Sequence, residues 1–160
     1  MQKEGLSEKE ERQILVFSMM KEELGLDISC VREVLRPQEI HPLPQAPDFI
    51  EGLINLRGHI IAVIDLRKRL NIKETEDRPK MRIIICRIKT YIVGLVVNSV
   101  SEIIALSEED IEPTPEVIST QIETDFISGI ARFGERIIVI LNLENILTKE
   151  EMTKLTKIEQ

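Results

Sequence analysis

FIEGLINLRGHIIAVIDLRKRL, residues 49–70, can be laid over FISGIARFGERIIVILNLENIL, residues 126–147, without a gap. Seven of the 22 positions are identical: Phe49/Phe126, Ile50/Ile127, Gly52/Gly129, Ile60/Ile137, Ile61/Ile138, Leu66/Leu143 and Leu70/Leu147. Upstream, LGLDISCVREVL (Leu24–Leu35) answers VGLVVNSVSEII (Val93–Ile104), with Gly25, Leu26, Val31 and Glu33 matched by Gly94, Leu95, Val100 and Glu102. The offset between copies grows from 69 to 77 between the two blocks, so the second copy holds 8 additional residues there. Self-similarity of this kind is the mark of an internal duplication.

Each copy reads as five short strands. In the first they are Gln13–Met20, Leu24–Ser29, Val34–Arg36, Gly52–Arg57 and His59–Ile64, and their counterparts open near Arg82, Val93, Ile103, Gly129 and Arg136. Leu24, Leu26, Ile28 and Cys30 alternate with Gly25, Asp27 and Ser29, the period of two expected of a strand with one buried face. Pro37, Pro42, Pro44 and Pro47 force an extended loop after the third strand, as Pro113 and Pro115 do in the second copy. Arg57-Gly58, set between two apolar runs, is read as a hairpin tip with Gly58 turning the chain. Asp65–Leu70 and Asn142–Leu147 fit one or two helical turns, with Asp65 as the N-cap.

The expected class is therefore all-β: two SH3-like five-stranded β-barrels, spanning about residues 13–72 and 80–147, with short helical turns. A C-terminal helix is expected over 148–158, where Thr148-Lys-Glu-Glu151 is a capping box and Met152, Leu155 and Ile158 fall on one face. Halves of about 65 residues bury little alone, so the barrels are expected to share a core, and an exchange of strands is one route to it. Residues 1–12 are charged and are read as a mobile tail.

Composition narrows the function. A chain 42% hydrophobic with only four Phe, one Tyr and no Trp has an aliphatic core, and its net charge of -7 lacks the basic face that nucleic acid needs. The N-terminus has no apolar signal region and the apolar runs are too short to span a bilayer, which points to a cytoplasmic protein without membrane insertion. Cys30 and Cys86 stand in apolar runs with no CxxC and no adjacent His, and are read as small hydrophobes. The two histidines, His41 and His59, form no HExxH pattern, and no GxSxG or phosphate-binding glycine loop is present. Asp27 and Asp65 become Val96 and Asn142 in the other copy, so a paired-acid mechanism has no support. No catalytic residue, metal or cofactor is assigned. What remains is surface. Val31 and Val100 hold equivalent places at strand ends beside charged residues, either as core or as two walls of one groove. Glu33 and Arg57 are single charges among apolar neighbours, either solvated or edging an interface with an apolar centre.

INLRGHIIAVIDLRKRL closely resembles the signature of the CheW-type bacterial chemotaxis coupling proteins, and GLDISCVREVL and SEEDIEP with FISGIARFGERIIVILNLENIL resemble their other motifs. The likeness covers about residues 13–150, with Ala62 where the family usually carries proline. It implies two SH3-like barrels and a non-enzymatic adaptor bridging the cytoplasmic tip of chemoreceptors to the regulatory domain of the histidine kinase CheA, in arrays at the inner membrane. Carried over by motif, it implies a receptor-binding groove with Leu15, Ile28, Val31 and Val100, and Glu33, Gly52 and Arg57 among the residues affecting coupling. The kinase is expected on the second barrel, at residues the motifs do not assign. A longer receiver-bearing fusion of the CheV type is disfavoured, and the alternative function is a small enzyme or nucleotide-binding protein using Arg57.

Overall fold

The computed structural model describes residues 11–19, 21–72, 80–113 and 122–158. The first copy supplies β1 (Glu11–Met19), β2 (Glu22–Asp27), β3 (Val31–Leu35), β4 (Ile50–Leu56), β5 (His59–Asp65) and the one-turn helix α1 (Leu66–Leu70). The second supplies β6 (Arg82–Ile88), β7 (Tyr91–Val97), β8 (Ser99–Ser107), the two-residue β9 (Ile111–Glu112), β10 (Ile127–Phe133) and β11 (Arg136–Leu141), followed by α2 (Lys149–Ile158). Strands that match in sequence are β1/β6, β2/β7, β3/β8, β4/β10 and β5/β11.

These strands form two sheets, ordered β8-β1-β2-β11-β10-β9 and β3-β6-β7-β5-β4. Under the sequence correspondence the two orders are the same, with β9 as an addition to the first. The six-stranded sheet takes two strands from the first copy and four from the second, and the five-stranded sheet takes three from the first and two from the second, so residues 13–72 and 80–147 both contribute to both sheets. The result is the pair of SH3-like barrels, all-β, that the duplication implies.

Strand exchange explains why the apolar runs carry so few polar interruptions. Ile14 and Val16 of β1 face the inside of the first barrel, with Ile104, Ile138 and Ile140. Leu15, Phe17 and Met19 of the same strand face the other way, into a larger core shared with Ala62, Ile64, Ile84, Cys86 and Leu95. Ile61, Val63, Ile83 and Ile85 fill the second barrel. Strands buried on both faces read as continuous hydrophobic runs, because neither face can afford a polar side chain.

Several local features depart from the sequence reading. β2 ends at Asp27, and residues 28–30 form a 3-10 turn in which the Asp27 carboxylate accepts a hydrogen bond from the Ser29 amide at 3.1 Å. That turn is where the chain leaves one sheet for the other, so Ile28 and Ser29, expected at the end of the second strand, lie in the turn, and β3 opens at Val31 rather than Val34. Glu11 and Arg12, placed in the tail by sequence, belong to β1. Arg12 donates to Asp27 at 3.1 Å across the β1–β2 ladder, which gives a charged residue a reason to stay in register. The rest of the expected tail lies outside the described residues.

Asp65 caps α1, accepting from the Arg67 amide at 3.0 Å, and Asn142 caps the corresponding 3-10 turn, accepting from Glu144 at 3.1 Å. Either side chain offers the oxygen a cap needs, which accounts for the exchange of Asp for Asn between copies. In α2, Thr148 and Glu151 form the capping box, with bonds of 2.9 and 3.1 Å, and Met152 and Leu155 enter the shared core.

Candidate functional site

The hairpin β4–β5 turns on two residues with positive φ, Arg57 at 52° and Gly58 at 89°. Two residues of this hand match the twist of the flanking strands, and Asn55 fixes the turn by accepting from the Gly58 amide at 2.9 Å. The Arg57 side chain is thereby thrown off the end of the sheet. It returns onto β3, where both of its terminal nitrogens reach the carboxylate of Glu33, Nη1 to Oε1 at 3.4 Å and Nη2 to Oε2. Two charges 24 positions apart in the chain thus form one forked pair.

The pair is solvent-facing. Arg57 keeps 67% of its side chain exposed and Glu33 32%. The hydrogen bond and charge of Arg57 hold the Glu33 carboxyl below the ordinary carboxylate range, and the same contacts push the guanidinium up. Beside the pair lies an open cleft of 540 Å³ with an apolar floor of Leu56, Ile60, Ile61 and Ile85. Its far wall is Tyr91, whose hydroxyl lies 2.6 Å from that of Thr156 on α2.

The apolar residues of the expected groove all belong to the shared core or pack against it. Leu15 is part of the shared core, only 3% exposed, while Ile28, Val31 and Val100 are partly buried and packed against that core where it meets solvent. Val31 and Val100 come from the two copies and occupy equivalent edge strands, β3 of one sheet and β8 of the other. Leu15 is a core residue rather than a contact surface.

Gly52 sits apart from this surface. It is buried under the proline loop, where a Cβ would stand 2.5 Å from the His41 carbonyl oxygen. His41 is held there by a two-way backbone bridge to Leu53, at 2.8 and 2.9 Å. Any influence of Gly52 on binding therefore passes through the placement of that loop and of β4.

Sequence reasoning missed a second set of surface residues. Val34 and Ile60 on one sheet, and Ile103 and Ile137 on the other, are exposed large hydrophobics, and they are equivalent pairs under the two offsets. Ile60 and Ile137 were visible as an identity in the aligned blocks. Nothing in the alternation distinguished them from barrel wall, because their neighbours Ile61 and Ile138 are buried.

A family model for the CheW-like domain matches residues 13–151. The chain belongs to the CheW family. It is 33% identical over 141 residues to chemotaxis protein CheW of Klebsiella aerogenes, covering 88% of this chain and 84% of that one. It is 34% identical to CheW of Rhizobium meliloti over 140 residues, covering 88% and 90% of the two chains. Among solved structures it is similar to the scaffolding protein TtCheW from Thermoanaerobacter tengcongensis, with 44% identity, a TM-score of 0.79 and coverage of 86% and 88%. CheW relatives are named as chemotaxis and scaffolding proteins, not as enzymes, and this chain is a chemotaxis scaffold of that family. The alternative of a small enzyme or nucleotide-binding protein using Arg57 is set aside. Among the described residues no helix is long and apolar enough to cross a membrane.

Proposed function

We propose that this CheW-family scaffold couples the cytoplasmic tip of a chemoreceptor to the regulatory domain of the histidine kinase CheA, in the cytoplasm at receptor arrays. The observation that carries the reading is the juxtaposition of an apolar border with a charged edge. Ile28, Val31 and Val100 lie half-buried over the shared core, and the Glu33–Arg57 pair stands on the same strand, β3, as Val31. An apolar centre excludes water from a docked helix while a charged rim sets its register.

Leu15 supports the border from below, and Gly52 keeps the loop and β4 in place. The kinase docks on the sheet built chiefly from the second copy, where Ile103, Phe133 and Ile137 leave apolar area in solvent. Holding two partners on one rigid body raises the effective concentration of each for the other, so modest contacts suffice for assembly.

Reconstitution of receptor, scaffold and kinase tests this. Val31→Asp is expected to reduce receptor-tip binding and receptor-dependent kinase activation while the scaffold still binds the kinase. A folded Val31→Asp protein that activates normally would remove the apolar border from the receptor site.

A further inference from the structure

Cys30 and Cys86 lie 56 positions apart in the chain and adjacent in the fold. Antiparallel pairing of β3 with β6 sets Val31 opposite Cys86, and Cys30 is the residue immediately before Val31. In a continuous strand Cys30 would point away from its neighbour's side. The 3-10 turn over 28–30 breaks the alternation, so Cys30, Val31 and Cys86 all face the shared core. Residues on facing antiparallel strands one position out of register have Cα atoms about 6 Å apart, within reach of a disulfide. Both thiols are free, Cys86 fully buried and Cys30 partly exposed.

We infer that Cys30 and Cys86 form a reversible, peroxide-driven disulfide that acts as a redox switch on the groove, an inference whose binding consequence rests on the receptor-docking reading above. Cys30, the accessible thiol, attacks hydrogen peroxide, giving a sulfenic acid and one water. The Cys86 sulfur then displaces hydroxide from the Cys30 sulfur, and its thiol proton leaves with that hydroxide as a second water. Two thiols are oxidised and one peroxide is reduced. A cytosolic thiol reductant reverses the bond by exchange.

The order of events follows from the surroundings. Burial first, and then the neighbouring Cys30, push the Cys86 thiol well above its ordinary range, so Cys86 does not react with oxidant directly. Among the described residues β3 is an edge strand whose ladder partner is β6, and its fraying lets water reach Cys86, so that the burial holding it as a thiol is lifted and the sulfur can attack the sulfenic acid. Once closed, the bond draws the 28–30 turn toward β6 and shifts Ile28 and Val31, the two residues of the first copy that border the groove.

The test treats the full chain with hydrogen peroxide and reads intact mass, a peptide map and receptor-tip binding. Expected are loss of both free thiols with the mass of two hydrogens, a Cys30–Cys86 linked peptide, and recovery in dithiothreitol. Oxidised protein should bind the tip about fivefold or more weakly than reduced protein. Cys86→Ala should accumulate a dimedone-reactive sulfenic acid at Cys30, and Cys30→Ala should leave Cys86 unreactive and binding insensitive to peroxide. Oxygen addition at Cys30 with Cys86 still a free thiol, or chain dimers through Cys30, would overturn the disulfide. Disulfide formation without a change in binding would overturn the switch. If reduced protein does not bind the tip at all, the docking reading fails while the thiol chemistry is still decided by mass.

Discussion

The two copies each pair a glutamate at the same place with an arginine of the same sheet's hairpin, but they hold the arginine differently. Glu33 and Glu102 are equivalent under the offset of 69. In the second copy Arg136, two residues past the turn glycine, meets Glu23 at 2.6 Å and Glu102 at 2.8 Å and lies 5.6 Å from the centre of the Phe133 ring. In the first copy the arginine has moved to the turn itself, and Arg57 meets Glu33 alone. Two carboxylates hold Arg136, with 35% of its side chain exposed, whereas one holds Arg57, with 67% exposed. Duplication supplied one frame, and a shift of two residues along a hairpin leaves the arginine on one carboxylate instead of two.

The comparison is tested most strongly at its base, the core common to both copies. Phe17→Ala is expected to cost about 3–5 kcal/mol in urea unfolding, with both sheets lost in a single transition because the cluster joins them. Two separate transitions would mean the barrels are independent and the shared core is decorative.

Next come the paired glycines. Gly52→Ala places a methyl 2.5 Å from the backbone oxygen of His41, while Gly129→Ala meets Glu112 oxygen at 3.1 Å and the Ile111 side chain at 3.0 Å. The first is expected to cost about 3 kcal/mol and the second about 1 kcal/mol, since both methyls meet a backbone oxygen and the overlap at 2.5 Å is far more severe than that at 3.1 Å. Equal losses would show that the proline loop and β9 tolerate displacement alike.

At the groove border, Val31→Asp is expected to weaken receptor-tip binding by about 2 kcal/mol, a partly buried anchor having become an unpaired charge. Val100→Asp reports the contribution of the other copy. If Val100→Asp weakens binding and Val31→Asp does not, the groove belongs to one wall only.

The charged pairs give the smallest effects on the fold. Arg57→Ala should leave the thermal midpoint nearly unchanged and lower receptor-dependent kinase activation. Arg136→Ala should lower the midpoint further, because it leaves Glu23 and Glu102 facing each other. In a carbon-detected titration, Glu33 should ionise below the ordinary glutamate range in wild type and return to it in Arg57→Ala. A depressed carboxyl stabilises the fold fully above its unfolded value, and that contribution disappears as pH falls through the folded one. An unshifted Glu33 in wild type would mean the pair is not formed in solution.

How much of this could be read beforehand differs by level. The aligned hairpins, the alternation in β2 and the cap residues Asp65 and Thr148 were local signals, and local signals survive because turn and strand chemistry act over a few residues. Val31 and Val100 could be paired as equivalents, yet their spacing alone could not decide between core and groove. Exposed Ile60 and Ile137 could not be told from their buried neighbours, since exposure depends on what arrives from elsewhere in the chain.

The sequence by itself determined a duplicated all-β chain, its strand and turn sequence, its aliphatic core and its CheW-like motifs. Only the tertiary structure decided that β1 and β2 pair with strands of the other copy, that Glu33 and Arg57 join across 24 positions, and that Cys30 stands beside Cys86. The physical reason is that period and propensity fix which face of a strand is buried, whereas the identity of the neighbour is set by the largest apolar area the whole chain can remove from water at once.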